Sequence, residues 1–480
     1  MFPPLQDLYR IAPELVLCAF GMLVMLIDPF VPAGRKRSMG WLAFVGTLVA
    51  LASLRWAALN QGAAYSGLFR VDMFSLFVHA IVIGVAALAI LGSFDYLDRE
   101  DIQRGEYYAL ILFATAGMGI LAGATELLTA FVGLEMSSIS TYILVGFRRT
   151  VLKSNESSLK YFLLGSFATA FFLYGIALTY GATRSTRFDV INQAIAAHGA
   201  GPLLILGLGL IFVGLGFKVV AAPFQIYTPD VYEGAPTPVT AILACGPKAA
   251  AFAVMLRIFY SAFGNASHVW FWAIWVSAVL TMCIGNFAAL VQTNVKRLLA
   301  YSSIAHAGYI LVAFVSASEI GVAAVLFYLA AYAAMTLGAF LIVAHVGGTN
   351  EERLNIEDYA GLGAKHPWIA ACFALFLFSL LGLPATGGFL GKLYAFQAAL
   401  DQRIVWLVVI AAVNSVIGAY YYLRVVVAMY FHEPNKEWAP TPMHAPMFIV
   451  LLVTAAATIY FGVLPNRIME LALASARSLR

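Results

Sequence analysis

Residues 201–230 read GPLLILGLGLIFVGLGFKVVAAPFQIYTPD. The apolar run over 202–228 is long enough to cross a bilayer as a helix, which takes about 20 such residues. Two residues disturb it. Lys218 places a cation inside the crossing. Pro223, five residues later, lacks a backbone donor and frees a carbonyl one turn back, so the helix is predicted to break beside the lysine. A cation in hydrocarbon costs about 2.5–3.5 kcal/mol even on the mildest scale, so it needs a partner, water or a task.

The rest of the chain is of the same kind. Of 480 residues, 62% are hydrophobic and 11% charged, with a mean hydropathy of +0.88. A soluble domain carries about 25% charged residues. This chain cannot cover a water-facing surface, which excludes a soluble enzyme and a disordered protein and makes the lipid bilayer its medium. The net charge of +4 comes from scattered lysines and arginines without a dense basic stretch, so nucleic acid is not an expected partner. Cys18, Cys245, Cys283 and Cys372 lie in apolar segments without CxxC spacing and read as small core residues.

Working outward gives fourteen predicted spans, near 11–30, 39–59, 73–94, 106–123, 125–147, 157–181, 202–228, 238–263, 268–292, 298–316, 320–345, 367–400, 404–431 and 446–465. The first has no basic cluster before it beyond Arg10 and no small-residue cleavage site before Arg35, Lys36 and Arg37, so it reads as a retained span. The segment 367–400 is too long for one straight crossing and contains LGLPATGG at 381–388, just before Lys392; a second break is expected there. Interrupted helices in corresponding positions of two halves point to an ion path. The spacing agrees: Glu135 precedes Lys218 by 83 residues and His306 precedes Lys392 by 86. Spans four to eight then match spans nine to thirteen, and because five is odd the second copy enters from the opposite face. The expected fold is an all-α polytopic membrane protein of fourteen transmembrane helices, with two inverted five-helix repeats and two broken helices. Its units are 1–105 (helices 1–3), 106–263 (first repeat), 268–431 (second repeat) and 432–480 (a last helix and tail).

Basic residues orient it. The odd-numbered connections hold thirteen lysines and arginines, Lys296, Arg297 and Lys436 among them, and the even-numbered ones five; the tails add Arg10, Arg467, Arg477 and Arg480. The odd connections are therefore expected in the cytoplasm and both termini outside.

Six cations remain within or at the ends of spans: Lys160, Lys218, Lys248, Arg257, Lys392 and Arg424. Arg257 and Arg424, nearer span ends, are expected to snorkel. Lys218 and Lys248 are mid-span. Burial disfavours the charged form of an amine, which suits a proton carrier. Gly246 and Pro247 are expected to loosen the backbone beside Lys248. Glu135 is the acid at the centre of a long apolar run; it either bonds a serine such as Ser137 or Ser138, or pairs with Lys218. His306 is either a hydrogen-bonded core residue or a relay with a near-neutral pKa. Glu156 and Lys160 stand at i, i+4 with the acid first, the order for a helical ion pair, with a role in proton uptake as the alternative. Lys392 follows GFLG, but Thr386 and Leu393 stand where a P-loop needs glycine and Ser or Thr, so nucleotide binding is excluded. Scattered histidines and cysteines give no expected site for haem or an iron–sulfur cluster.

The stretches PFQIYTPDVYEGAPTPVTA (223–241), VKRLLAYSSIAHAGYIL (295–311) and GFLGKLYAF (388–396) resemble the antiporter-like membrane subunits of NADH:quinone oxidoreductase, respiratory complex I. PELVLCAFGMLVMLIDPF (13–30), NESSLKYFLLGS (155–166) and the lysine of GFLGK are similar to the subunit N branch, and the likeness covers essentially the whole chain. The resemblance implies a proton channel through Glu135, Lys218, Lys248, His306 and Lys392, with Lys160 a weaker candidate. It would move protons from cytoplasm to periplasm across a bacterial inner membrane. No cofactor is expected in this chain; NADH, FMN, iron–sulfur clusters and quinone would sit in partner subunits, and antiporter-like paralogues would adjoin it. The alternative is a subunit of a multisubunit sodium/proton antiporter. One departure stands out: the family commonly has histidine where this chain has Gln225, which cannot titrate.

Overall fold

The computed structural model describes residues 4–434 and 443–479; Lys436 and Arg480 of the topology argument lie outside them. α1 (Leu5–Arg10) leads into α2 (Ala12–Ile27), α3 (Arg37–Leu59) and α4 (Met73–Arg99), with an antiparallel pair, β1 (Gly62–Ala64) and β2 (Phe69–Val71), before α4. The next five crossings are α5 (Gly105–Gly123), α6 (Leu127–Val145), α7 (Leu152–Thr183), the broken pair α9 (Pro202–Lys218) and α10 (Thr228–Gly234), and α11 (Thr237–Arg257); the short amphipathic α8 (Phe188–His198) lies between α7 and α9. Five more follow: α12 (Ser267–Leu290), α13 (Val295–Val315), α14 (Glu319–Val346), the broken pair α16 (Pro367–Leu381) and α17 (Gly387–Asp401), and α18 (Val405–Phe431), with one extra turn, α15 (Leu362–Lys365), before α16. α19 (Ala445–Val463) and α20 (Asn466–Leu479) complete the described helices. Twelve are long and apolar enough to cross a membrane alone, and the two broken pairs make fourteen crossings.

The two sets of five pack alike. α5 lies on α6 as α12 lies on α13; α6 meets α7 as α13 meets α14; α7 holds α9 and α10 as α14 holds α16 and α17; and α11 leans on α5 as α18 leans on α12. In α12 and α13 the backbones nearly touch: a Cβ on Gly308 would sit 2.8 Å from the Met282 amide nitrogen. Small residues that let helices approach this closely hold membrane bundles together.

Both first half-helices end in the same motif. Ala221 N–H reaches the Gly216 carbonyl (2.8 Å) and Val220 N–H that of Phe217 (3.1 Å); Leu383 N–H reaches Phe378 (2.9 Å) and Gly382 N–H reaches Ser379 (3.0 Å). This is the Schellman ending, which needs a left-handed residue. Gly382 supplies it with φ +96°, and Val220 with φ +65°. A side chain in that conformation costs roughly 1–2 kcal/mol. α12 holds the first break from the side: Thr281 Oγ1 accepts from Ala222 N–H (2.8 Å) and Ser277 Oγ donates to the Ala222 carbonyl (2.6 Å). Freed backbone groups at membrane depth are thus satisfied inside protein.

Three helices form the centre: the apolar stretches of α11 and α13 are 94% buried and that of α14 89%, against 28% for α2. Polar side chains on these three face protein rather than lipid. Pro247 does not loosen α11, which runs unbroken through it; Gly246 instead admits Met118, whose sulfur would lie 3.0 Å from a Cβ there. The chain beyond residue 465, in the expected tail region, forms α20, docked on α4 and α14. Ser478 Oγ accepts from Phe74 N–H (3.0 Å), Ser475 Oγ donates to the Met73 carbonyl (3.0 Å), and Arg477 pairs with Glu319 (2.7 Å).

Candidate proton path

Of the ionisable residues singled out above, Lys218, Lys248, His306 and Lys392 each lie against hydroxyls inside the bundle. Lys218 ends α9. Its ammonium donates to the Tyr142 hydroxyl of α6 (3.3 Å) and lies over the rings of Tyr142, Tyr161 and Phe217 at 5.1, 5.5 and 5.7 Å. Glu135, seven residues before Tyr142 on the same helix, makes no direct ion pair with Lys218 among the described residues. Its buried Oε1 has no hydrogen-bond partner. The expected contact pair is therefore a separated one. A small cavity lined by Ser137, Ser138, Thr141, Tyr161, Lys218 and Pro247 carries the path towards α11.

Lys248, 1% exposed, follows Pro247 on α11. Its ammonium donates to the Ser303 carbonyl of α13 (2.8 Å), bonds the Ser303 hydroxyl, and lies 5.0 Å over the Tyr332 ring. The adjacent Ser302 hydroxyl bonds the Tyr422 hydroxyl of α18, which lies 3.1 Å from His306 Nε2; Tyr328 of α14 lies 2.8 Å from His306 Nδ1. Each imidazole nitrogen thus faces a hydroxyl that can either give or take a proton, so the ring can change tautomer without moving. This geometry serves both readings of His306, a satisfied core residue and a relay.

Tyr309, one turn along α13, connects His306 to Lys392: its ring stands edge-on to the imidazole, centroids 5.8 Å apart, and 4.8 Å beneath the Lys392 ammonium. Lys392 donates to the Leu381 carbonyl (2.8 Å), where α16 ends, and to Ser415 Oγ of α18 (2.9 Å). The negative end of a half-helix dipole accounts for a cation at this spot. The two lysines flank their breaks from opposite sides, Lys218 before the first and Lys392 after the second.

Lys160 stays outside the path. It is 42% exposed at its side chain and pairs with Glu156 (2.7 Å) and Asp230 (2.9 Å). It belongs to a charged rim in which Arg297 joins Asp230 and Glu233 (2.8 Å each). Lys296 was expected in a loop, but it is fully buried at the start of α13, paired with Glu351 (2.9 Å) and donating to the Ala235 carbonyl (2.8 Å). Burial pushes the Glu351 carboxyl up, and Lys296 with hydrogen bonds from Thr237, Lys296 and Tyr96 more than reverses this, leaving it below the usual glutamate value. Arg257 does not snorkel: it is 3% exposed, pairs with Asp72 at the start of α4 (2.7 Å) and donates to the Ala122 carbonyl (2.6 Å). Arg424 turns back to the Leu290 and Gln292 carbonyls at the end of α12. A further buried pair, Glu14 with His79 (2.5 Å), joins α2 to α4 beside Gly119. The tyrosines of the path carried no sequence signal of their own; Tyr328 and Tyr332, one helical turn apart on α14, offered the nearest to one.

These features can be set beside known proteins. The family described as "NADH:quinone oxidoreductase/Mrp antiporter, TM" matches residues 124–418, which hold every residue of the path except Tyr422. NADH-quinone oxidoreductase subunit N 1 of Solibacter usitatus (strain Ellin6076) is 47% identical over 477 residues, covering 99% of this chain and 98% of that one. The chain belongs to the NADH-quinone oxidoreductase subunit N family. Subunit N of Trichlorobacter lovleyi is 45% identical over 97% of this chain and 96% of its own. Among solved structures, a chain of respiratory complex I from Thermus thermophilus with bound aureothin is 35% identical, with a TM-score of 0.81 over 95% of this chain and 98% of that one. A chain of the Mrp complex from Dietzia sp. DQ12-45-1b shares the fold, with a TM-score of 0.87 at 20% identity over 98% and 97% of the two chains. At Gln225, where the family resemblance implies histidine, the side chain is buried and its Oε1 lacks a protein partner.

Proposed function

We propose that this chain is the proton-translocating membrane-arm subunit N of an NADH:quinone oxidoreductase, carrying protons from cytoplasm to periplasm as quinone is reduced in other subunits. The observation behind this reading is the series of amines, imidazole, hydroxyls and the Tyr309 ring, Lys218, Lys248, Ser303, Ser302, Tyr422, His306, Tyr309 and Lys392, that spans both repeats and is centred on α11, α13 and α14, the helices best shielded from lipid. The chain itself takes protons as its substrate. NADH, FMN, iron–sulfur clusters and quinone belong to partner subunits in this reading, antiporter-like paralogues lie beside it in the bacterial inner membrane, and both termini face the periplasm. A tagged chain purified mildly from its own membranes should bring down NADH-oxidising subunits. Vesicles holding that complex should move protons on addition of NADH and quinone without an imposed sodium gradient. Recovery of small antiporter subunits alone, with proton movement driven by sodium, would replace this reading with the antiporter one.

A further inference from the structure

The joint between the first broken helix and α11 is capped from outside its own segment. α10 ends at Gly234, Ala235 follows, and Pro236 precedes Thr237, the first residue of α11. Helix ends leave carbonyls and N–H groups without partners, and Pro236 has no side chain that could meet the Thr237 N–H. Two residues of the second repeat meet both ends. Lys296 of α13 donates to the Ala235 carbonyl (2.8 Å), and Glu351, on the connection after α14, accepts from the Thr237 N–H (3.0 Å) and from its hydroxyl. The two side chains pair with each other (2.9 Å); Lys296 is fully buried and the Glu351 side chain nearly so. A cation thus lies on the C-terminal end of one helix and an anion on the N-terminal end of the next, each the sign that the helix dipole favours.

The placement of Glu351 is held at a cost. Asn350 and Glu351 both have left-handed backbones, φ +57° and +55°, a conformation that persists for such residues where surrounding contacts enforce it. Glu100 fixes the turn, accepting from the Asn350 N–H (2.9 Å) while pairing with Arg148 (2.8 Å), and Tyr96 of α4 donates to Glu351 (2.8 Å). Two turns along α13 from Lys296, the Ser303 carbonyl takes the Lys248 ammonium (2.8 Å). α13 therefore holds the α10–α11 unit at two levels, about 10 Å apart at 1.5 Å per residue: the joint at Lys296, and Lys248 at Ser303.

We propose that Lys296 and Glu351 are positioning residues, a capping pair supplied by the second repeat that fixes the α10–α11 joint and with it the register of Lys248 against Ser303. The proposal rests on Lys248 being a proton carrier. Its signature is direction. The same two charges exchanged would still attract each other, but would set a carboxylate against the Ala235 carbonyl and an ammonium against the Thr237 N–H, the wrong sign at both helix ends.

The test uses the assembled complex in vesicles, with proton uptake normalised to assembled subunit. Glu351→Gln and Lys296→Met should each slow transport severalfold and displace its pH profile, because Lys248 then meets Ser303 differently; the isosteric Glu351→Gln decides alone where Lys296→Met does not assemble. The double variant should be no slower than the slower single one, since the pair acts as a unit. The exchanged variant, Lys296→Glu with Glu351→Lys, should stay slow or fail to assemble. Parental transport in the exchanged variant would reduce the pair to an ordinary ion pair. Effects that multiply in the double variant would make the residues independent, and slower transport with an unmoved pH profile would leave them merely structural. Each of these overturns the proposal, as do single variants at the parental rate. Hydrogen exchange separates the joint from the carrier reading: residues 234–240 should exchange about tenfold faster in Glu351→Gln, as for loss of one hydrogen bond to a charged group. Parental protection there overturns the capping pair whatever Lys248 does. Normal transport in Lys248→Met would instead remove the carrier, and with it the positioning role, while leaving the cap.

Discussion

Replacing Lys392 with methionine removes an ammonium that donates to the Leu381 carbonyl and Ser415 Oγ and lies over Tyr309. Hydrogen bonds to a charged group contribute about 1.5–3 kcal/mol each, and the ring contact about 0.5–2 kcal/mol. Against this stands the burial of the charge itself, about 2.5–3.5 kcal/mol or more. The terms are of similar size, so Lys392→Met should assemble into the complex with stability within about 2–3 kcal/mol of the parent. Its transport should stop rather than slow, because a thioether at this position carries no exchangeable proton. Lys392→Arg discriminates further. The guanidinium brings five N–H donors to a site with two acceptors, and it does not release its proton. Both variants should show lost proton uptake in vesicles energised with NADH, followed by a pH-sensitive dye, with subunit content checked on native gels. Where pumping and redox steps are tightly coupled, NADH oxidation should slow in parallel. An arginine variant that pumps at the parental rate would show that Lys392 supplies fixed charge, and the carrier assignment would be withdrawn.

Glu135→Gln should impair pumping more than assembly, since Oε1 has no partner to lose; parental pumping in a normally assembled complex would make Glu135 structural. Tyr422→Phe deletes the hydroxyl between Ser302 and His306 and should slow transport about a hundredfold, the low end for loss of a positioned proton donor, as read by the same dye assay. Arg257→Leu leaves buried Asp72 with only the more distant Arg70 (3.8 Å) as a charged partner and should destabilise the chain by about 3 kcal/mol, seen as a lowered melting temperature in detergent. Glu351 has a folded pKa below its ordinary 4.5, so the stability it contributes is present above about 4.5 and disappears as pH falls through the lower folded value. Melting curves across that acid range should show this loss, and Glu351→Gln should flatten it.

Depth in the membrane was legible residue by residue. Whether a segment crosses depends on a sum of transfer costs over about 20 neighbours in sequence, so the fourteen crossings, the breaks after Lys218 and at 382–386, and the misplaced charges Glu135, Lys218, Lys248, His306 and Lys392 could all be read locally. The repeat followed from spacing alone. What lies beside each charge could not be read this way, because lateral neighbours come from helices far apart in the chain. Tyr422 meets Ser302 across 120 residues and Arg257 meets Asp72 across 185. Local reasoning sent Arg257 to the interface and Lys296 to a loop because it could see how close each stood to a span end, but not the carboxylate that another segment brings there. The same limit hid the path's hydroxyls, for a tyrosine in an apolar run looks alike whether it faces lipid or an amine, and it made a contact pair of Glu135 and Lys218, which packing holds apart with the Tyr142 hydroxyl on the lysine. Sequence thus determined which residues are buried in the membrane at a cost; the packing of α6, α9, α11, α13, α14, α17 and α18 decided which of them lie beside one another.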